Sequence, residues 1–432
     1  MRFNTLSDWL TWQETLHPEE IELGLERIRL VWHAMHEPAY CCPVISVAGT
    51  NGKGSSVAML EAIYLAAGYR VGSYTSPHLY DYNERIRIAG KPVEDQTIIH
   101  AFEVVDQARQ STQPETSLTY FEFGTLAALH IFAQTQLDII LLEVGLGGRL
   151  DAVNIIDADV ALITTIDLDH QAWLGETKEQ IASEKAGILR ENNICIISDP
   201  SAPQVIEQQA SRLKCHCFRL GREFSYHIDD GNWCWQTQDK TRAALPLPAL
   251  NGKHQCQNAA GVIMVIEALS PQLPVNQQAL RTGLLSAQLP GRFEIRQGDI
   301  TVILDVAHNQ AAAETLAESL KAYIGSRRVW CIFSILADKD IRAVIRPFIR
   351  IVAHWSIAPL ASARAMQSAE IEKEIRAQIE QQASDSVRMI DVESHSTVKQ
   401  AFSHVQKLAQ PDDVILAFGS FYLVAELGVE PV

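Results

Sequence analysis

Short, continuous apolar runs alternate with amphipathic stretches of helical period almost from end to end of the chain. This alternation restricts the fold more than any other feature. Val44–Ala48 is such a run, followed by glycine-rich punctuation and a helix-period stretch over 55–67 that Gly68 closes. Runs over 137–144, 160–166 and 194–197 repeat the pattern, with a helical segment over 122–134 between them. Strands lacking polar alternation are buried on both faces, so the pattern predicts a parallel sheet covered by helices on each side.

The rhythm changes over 224–248, where aromatics alternate with polar residues around Asp230 and Gly231, as in Trp233-Cys234-Trp235. An antiparallel hairpin is expected there. A helix is expected over 258–269. Pro290-Gly291 then breaks the chain before a second αβ series, with strands near 301–306, 329–335, 351–357 and 414–418 and helices near 311–322, 340–350 and 370–382. The expected architecture is α/β in two domains. Residues 1–290 form a P-loop ATPase-like domain with a parallel central sheet and a small antiparallel excursion, and 291–432 form a smaller Rossmann-like α/β domain.

Composition removes several function classes. The 432 residues include 36 Lys or Arg and 52 Asp or Glu, a formal charge of −16, and 47% are hydrophobic. That balance does not suit wholesale disorder. Nor does it suit nucleic acid as the main partner, since phosphate neutralisation needs a large basic footprint. The N-terminus has no basic start followed by an apolar core, and no apolar run reaches the ~18 residues of a membrane span. The eight cysteines are scattered along the chain, as expected of reduced thiols in a cytoplasmic protein without a membrane partner. Nothing demands an oligomer, and a monomer is expected.

The strongest local signal is Gly49-Thr50-Asn51-Gly52-Lys53-Gly54-Ser55-Ser56, between a predicted strand and a predicted helix. Glycines let the backbone approach phosphate oxygens, and the helix N-terminus presents unpaired N–H groups to the anion. Lys53 would neutralise phosphate charge, and Ser55 or Ser56 would reach a bound Mg²⁺. The usual P-loop is offset here, with Val47 at the first glycine position and Gly54 pushing the hydroxyl one place beyond the lysine.

Glu143 ends one apolar strand and His170 follows another. Strand C-terminal ends crowd around the ligand crevice of an open parallel sheet. An acid and an imidazole at two such ends suit a shared divalent cation, Mg²⁺ or Mn²⁺, although a histidine at such a place also serves as a helix cap. The run 145–154, three glycines followed by Arg149, Asp151 and Asn154, reads as a mobile polar loop beside the nucleotide. Arg149 is its candidate for a substrate or phosphate contact. Lys185, within Ser183-Glu184-Lys185-Ala186-Gly187, reads by itself as a solvated helix residue. In the second domain Asp305 and His308 stand at a strand end, Gly419-Ser420 follow the last strand, and Arg292 sits at the proposed hinge. Acid, imidazole and guanidinium at these strand ends imply a cleft that domain closure would complete.

In one order the chain carries the 48–54 loop, Tyr74-Thr75-Ser76-Pro77-His78, Leu118-Thr119-Tyr120-Phe121-Glu122, the 145–154 loop, Glu184-Lys185-Ala186-Gly187 and Asp305-Val306-Ala307-His308-Asn309. This set resembles the folylpolyglutamate synthase and dihydrofolate synthase family, related to the Mur amino-acid ligases, over nearly the whole chain. The offset phosphate loop is the form that family uses. The resemblance implies ATP-dependent amide ligation through an acyl phosphate, with dihydropteroate, reduced folates and L-glutamate as substrates. It implies metal ligation by Ser76, Glu143 and His170, with Ser55 near the ion and a CO₂-derived carbamate on Lys185. It further implies ATP contacts by Asn258, Arg292, Asp305 and His308, glutamate contacts by Arg364 and Ser420, and a pterin site lined by Thr119, Phe121, Asp151 and Ala152. Glu26 and Arg27 match a loop associated with dihydropteroate binding in the bifunctional bacterial enzymes, which favours both activities over polyglutamylation alone.

Two positions depart from the family pattern. Gln310 replaces a proline, which is expected to loosen its turn, and Val153 replaces a threonine, which removes one hydroxyl. A Mur-type ligase acting on a cell-wall precursor and a P-loop nucleotide switch are the competing readings. The Lys53-Gly54 spacing and the 118–122 segment oppose the first, and the second has no use for Lys185 or the Asp305/His308 pair.

Overall fold

A computed structural model describes residues 2–229, 231–382 and 390–428. The chain divides into two compact units, Met1–Ala249 with Gln255–Gln288, and Leu250–His254 with Leu289–Val432.

The first unit is built on eight strands: β1 (Val44–Ala48), β2 (Val71–Tyr74), β3 (Ile86–Ile88), β4 (Lys91–Pro92), β5 (Ile139–Glu143), β6 (Val160–Ile163), β7 (Ile194–Ile197) and β8 (His216–Arg219). Their spatial order is β4-β3-β2-β5-β1-β6-β7-β8. The strands from β2 through β8 in that order run parallel. Every residue of β1 and β5 is buried, which is why those runs lack alternation. The chain leaves β1 for β2 on one side and returns to β6 on the other. The carboxyl end of β1 is therefore the switch point where such sheets hold ligands.

The all-parallel expectation fails at one edge, where β3 pairs antiparallel with both β2 and β4. The cause is local. Ala89 and Gly90 between β3 and β4 have φ of 51° and 78°, the two-residue turn whose twist matches a hairpin. Pro92 in the outermost strand removes a donor that an edge does not need.

The expected hairpin is a three-stranded sheet, order β11-β10-β9, of β9 (Phe224–Asp229), β10 (Asn232–Thr237) and β11 (Thr241–Pro246). Asp230 lies outside the described residues. Trp233 and Trp235 are its buried anchors, and Trp235 Nε1 donates to Ala260 O at 3.1 Å. The core beneath the main sheet centres on the almost wholly buried helix Tyr120–Ala133 and on Trp9, Phe102 and Phe123, with Phe102 edge-on to Phe123 at 5.4 Å.

The second unit has six strands, β12 (Glu294–Arg296), β13 (Thr301–Asp305), β14 (Val329–Phe333), β15 (Val352–Ile357), β16 (Asp391–Ser394) and β17 (Val414–Phe418). Their order is β12-β13-β17-β14-β15-β16, and among the described residues only the β12–β13 pairing is antiparallel. The helix expected over 340–350 is α-helical only over Ile341–Ile345 and tightens to a 3₁₀ turn at Arg346–Phe348, where Pro347 cannot continue the hydrogen-bond ladder.

Candidate active site

The glycine loop lies at the switch point. The helix Lys53–Ala66 begins directly after it, with Gly52 at the cap in a left-handed conformation of φ 89°. A Cβ on Gly49 would fall 1.8 Å from Thr164 Oγ1, and one on Gly52 would fall 2.5 Å from Asn258 Oδ1. Both glycines are therefore required by close approach. The loop is also tied to the end of β6. Thr50 N donates to Thr165 O at 2.7 Å, and Thr164 Oγ1 donates to Asn51 O at 2.8 Å. Gly49→Ala is expected to destabilise the protein by about 1–3 kcal/mol and to weaken ATP binding. Unchanged Tm and ATP affinity in that variant would show that the loop can yield.

Two lysines converge on this loop. Lys53 Nζ donates to Gly49 O at 3.0 Å and to Thr50 O at 3.4 Å. Lys185, at the end of the helix Lys178–Lys185, donates from Nζ to Gly49 O at 2.9 Å. Lys185 is 4% exposed, so the reading of it as a solvated surface residue is corrected. The helix turns it inward against the glycine loop. Burial, reinforced by the nearby Lys53 charge, pushes the Lys185 amine down to about 7.

Glu143 at the end of β5 is buried, and Ser76 N donates to its Oε2 at 3.2 Å. His170 stands in the loop after β6, with φ 50°, at the cap of the short helix Gln171–Leu174. Its carbonyl accepts from Trp173 N and Leu174 N, so it occupies the cap position, although its side chain makes no capping hydrogen bond. Near the cap of the first helix, Ser55 Oγ accepts from Gln255 Nε2 at 3.3 Å, and Gln255 Oε1 accepts from Asn258 Nδ2 at 3.0 Å. Both hydroxyls are buried, Ser55 at 4% exposure and Ser56 completely.

The 145–154 run is not a mobile polar loop. Gly148, Asp151, Ala152, Val153 and Asn154 are buried. Asp151 accepts from Leu146 N at 2.7 Å and from Val153 N at 3.1 Å, and its burial pushes its carboxyl up to about 6. Asn154 Nδ2 bonds the carbonyls of Arg149 and Gly187, and its Oδ1 accepts from Arg190. Asn154 therefore works as a clamp on the protein's own backbone. Arg149 pairs with Glu184 at 2.9 Å. Glycine explains the closeness of the two segments, since a Cβ on Gly187 would fall 2.3 Å from Arg149 Cβ. Val153 is wholly buried, so the hydroxyl of the family's threonine would require a partner here.

The N-terminal segment reaches the opposite end of this region. Thr119 caps the helix Tyr120–Ala133 through a capping box with Glu122. Arg27 Nη2 donates to Glu122 Oε1 at 3.1 Å and also pairs with Glu22, which bonds His17 Nε2 at 2.7 Å. Arg27 and Thr119, singled out separately in the sequence, are thus joined through Glu122, while Glu26 is exposed. Phe121 stacks on Tyr74, centroids 6.1 Å apart, and lies where a Cβ on Gly145 would meet its Cζ at 2.7 Å.

Sequence reasoning missed the cluster beside it. Arg85 is buried, donates from Nε to His78 Nδ1 at 2.8 Å and lies over the rings of Tyr82 and Tyr120 at 5.2 and 5.4 Å. Burial, with the Arg85 charge, pushes the His78 imidazole down to about 4. The Tyr-Asn-Glu-Arg run at 82–85 carries no motif, and only tertiary proximity to Tyr120 reveals it.

In the second unit, Asp305 is a fastener. It accepts from Phe293 N and Ala307 N, both at 2.7 Å, and burial raises its carboxyl above the usual range. That grip fixes the turn carrying Arg292, whose guanidinium lies 5.0 Å from the Phe421 ring, with the His308 ring 6.1 Å from the same ring. Val306 O lies 2.8 Å from His308 Nδ1 and holds the proton on that nitrogen. The turn is not loosened at Gln310. Asn309 caps the helix Gln310–Ile324 by accepting from Ala312 N, and the first helical residue needs no donor. Arg364 Nη2 lies 3.3 Å from Asp338 Oδ1, and Ser420 is buried after Gly419, whose added Cβ would strike Ser334 O at 2.3 Å.

The Mur ligase middle domain matches residues 47–266, and the Mur ligase glutamate ligase domain matches 291–421. The chain is 39% identical over 422 residues to the dihydrofolate synthase/folylpolyglutamate synthase of Escherichia coli K12, covering 98% of this chain and 94% of that one. Escherichia coli FolC solved in complex with DHPP and ADP superposes with a TM-score of 0.90 at 40% identity, covering 98% and 97% of the two chains. A bifunctional folylpolyglutamate synthase/dihydrofolate synthase with Mn, AMPPNP and L-glutamate bound gives 0.86 at 38% identity, again over 98% and 97%. The chain belongs to the dihydrofolate synthase/folylpolyglutamate synthase family of Mur ligases.

Proposed function

We propose that the protein is a bifunctional ATP-dependent amide ligase, adding L-glutamate to dihydropteroate to give dihydrofolate and to reduced folates to give folylpolyglutamates. The observation that carries this reading is the convergence of Lys53 and Lys185 on the Gly49 carbonyl at the switch point of the sheet. A pteroate or folate carboxylate attacks the γ-phosphorus of ATP, giving an acyl phosphate and ADP. The amine of glutamate then attacks the acyl carbon, and phosphate leaves. Lys53 and the backbone N–H groups of the glycine loop hold the negative charge that spreads over the transferring group.

The donors near the loop fit a hard divalent ion. The buried Glu143 carboxylate lies beside Ser76, and Ser55 is in the first turn of the loop helix. Glu143, Ser76, Ser55 and His170 would hold Mg²⁺ or Mn²⁺, which when bound neutralises phosphate oxygens. A carbamate on Lys185, formed as R–NH₂ + CO₂ → R–NH–COO⁻ + H⁺, would add an anionic oxygen ligand and keep one N–H for the Gly49 carbonyl. Asp151 and Ala152, with Thr119 and Phe121, would line the pterin end, where Arg27 is anchored through Glu122. Asn258, Arg292, Asp305 and His308 would serve ATP, with Asp305 acting by positioning Arg292. Arg364 and Ser420 would serve glutamate.

Phosphate release measured with ATP and Mg²⁺ tests the reading. Turnover is expected only when L-glutamate accompanies either dihydropteroate or a reduced folate. Equal turnover without acceptors would replace it with a nucleotide hydrolase, and activity with a reduced folate alone would reduce it to polyglutamylation.

A further inference from the structure

The second unit carries a group of side chains to which the proposed ATP-dependent glutamate ligation assigns no role. His354 lies on β15, Glu393 on the adjoining β16 and His404 on the helix Val398–Leu408. The β15–β16 register sets Ser356 opposite Glu393, so His354 and Glu393 share one face of the sheet, the face opposite Trp355. Glu393 Oε2 lies 4.0 Å from His354 Nε2 and 2.9 Å from His404 Nε2, and the ligand atoms of all three residues lie within 4.8 Å of one another.

The hydrogen bonding here is incomplete. His354 is 5% exposed, and its Nε2 has no hydrogen-bond partner. The Nε2 atoms of His404 and the neighbouring His395 are likewise buried and unpartnered, so the 2.9 Å approach to Glu393 lacks hydrogen-bond alignment. Buried ring nitrogens are normally satisfied, and several orphans around one carboxylate require an explanation.

We propose that His354 Nε2, His404 Nε2 and a Glu393 carboxylate oxygen bind a divalent transition metal of the Zn²⁺ type, joining β15, β16 and the helix Val398–Leu408. Two imidazoles and one carboxylate are a standard donor set for such ions. A tetrahedral ion at about 2.0–2.1 Å from each donor sets them about 3.3 Å apart. The two distances to Glu393, 2.9 and 4.0 Å, bracket that spacing, and the remaining pair lies within 4.8 Å. His404 also lines a groove with His395, Lys399, Gln400, Ser403 and Lys407, and water would complete the coordination.

The full-length protein, stripped with a chelator and free of ATP, is titrated with Zn²⁺ against a chromophoric competitor, and its Tm is followed. One equivalent is expected to bind and to raise Tm. Glu393→Gln and His404→Ala are each expected to weaken that binding by more than the roughly 10–100-fold that loss of an outer partner causes, and to abolish the Tm rise. Turnover with Mg²⁺ and ATP is expected to persist in both. Glu393 is half-exposed, so its variant folds even if the other does not. Co²⁺ in place of Zn²⁺ should give a spectrum without thiolate charge transfer. Unchanged stoichiometry in both variants, a thiolate spectrum, or a Tm rise with inorganic phosphate but not with Zn²⁺ would each overturn the proposal.

Discussion

Lys53→Ala is expected to lower kcat/KM for ATP-dependent ligation by about 10²–10³-fold, the scale set by removing one preorganised donor from a developing anion. The side chain sits at the first position of the loop helix, and its contacts, at 3.0 and 3.4 Å, are carbonyls of the glycine loop itself. Arriving phosphate oxygens can take over the ammonium without any rearrangement of the fold. Loss of those two hydrogen bonds should cost about 1–2 kcal/mol of stability, too little to unfold a domain with this core. The effect should therefore appear in kcat as well as KM, with Tm only slightly lowered. Normal ATP-dependent turnover in Lys53→Ala would mean that the phosphate loop lies elsewhere.

The placement of Lys53 was legible because three local signals coincide: a fully apolar strand, glycines where close approach demands them, and a helix start. The position of Lys185 was not. Its helix, KEQIASEK, is polar, with only Ile181, Ala182 and Lys185 buried. Nothing in such a run distinguishes an inward lysine from a solvated one, and only family resemblance singled it out. Periodicity also failed for β3 and β4, three and two residues long, which are too short to show a period. It failed again at 145–154, where glycines and polar residues read as mobility. There Gly148 permits close packing on the Glu184 carbonyl and Lys185, Gly187 does the same for Arg149, and Asp151 and Asn154 bond the backbone. Net charge misleads in a related way. The −16 total is summed over the whole chain, while Lys53 brings an ammonium to the carbonyls of one glycine loop.

Lys185→Ala is expected to depress ligation at least as severely as Lys53→Ala, with partial rescue by added acetate or formate. Only the neutral amine reacts with CO₂. An ordinary lysine near 10.4 offers very little of it at neutral pH, whereas one pushed down to about 7 is roughly half neutral there. Wild-type activity should therefore fall when CO₂ is stripped from the assay and recover with bicarbonate, more fully above pH 7 than below it. The variant should not respond. Stability separates this chemistry from a folding defect. Because the unfolded chain binds the lysine proton more tightly than the folded one, wild-type stability gains from this group as pH rises from about 7 toward 10.4, and carries its full burial cost below 7. Removing the side chain lifts that cost, so the Tm of Lys185→Ala relative to wild type should be highest below pH 7 and decline as pH rises. Full activity in Lys185→Ala would eliminate the carbamate. Loss of activity with no CO₂ dependence in the wild type would leave Lys185 as a plain cation holding Gly49.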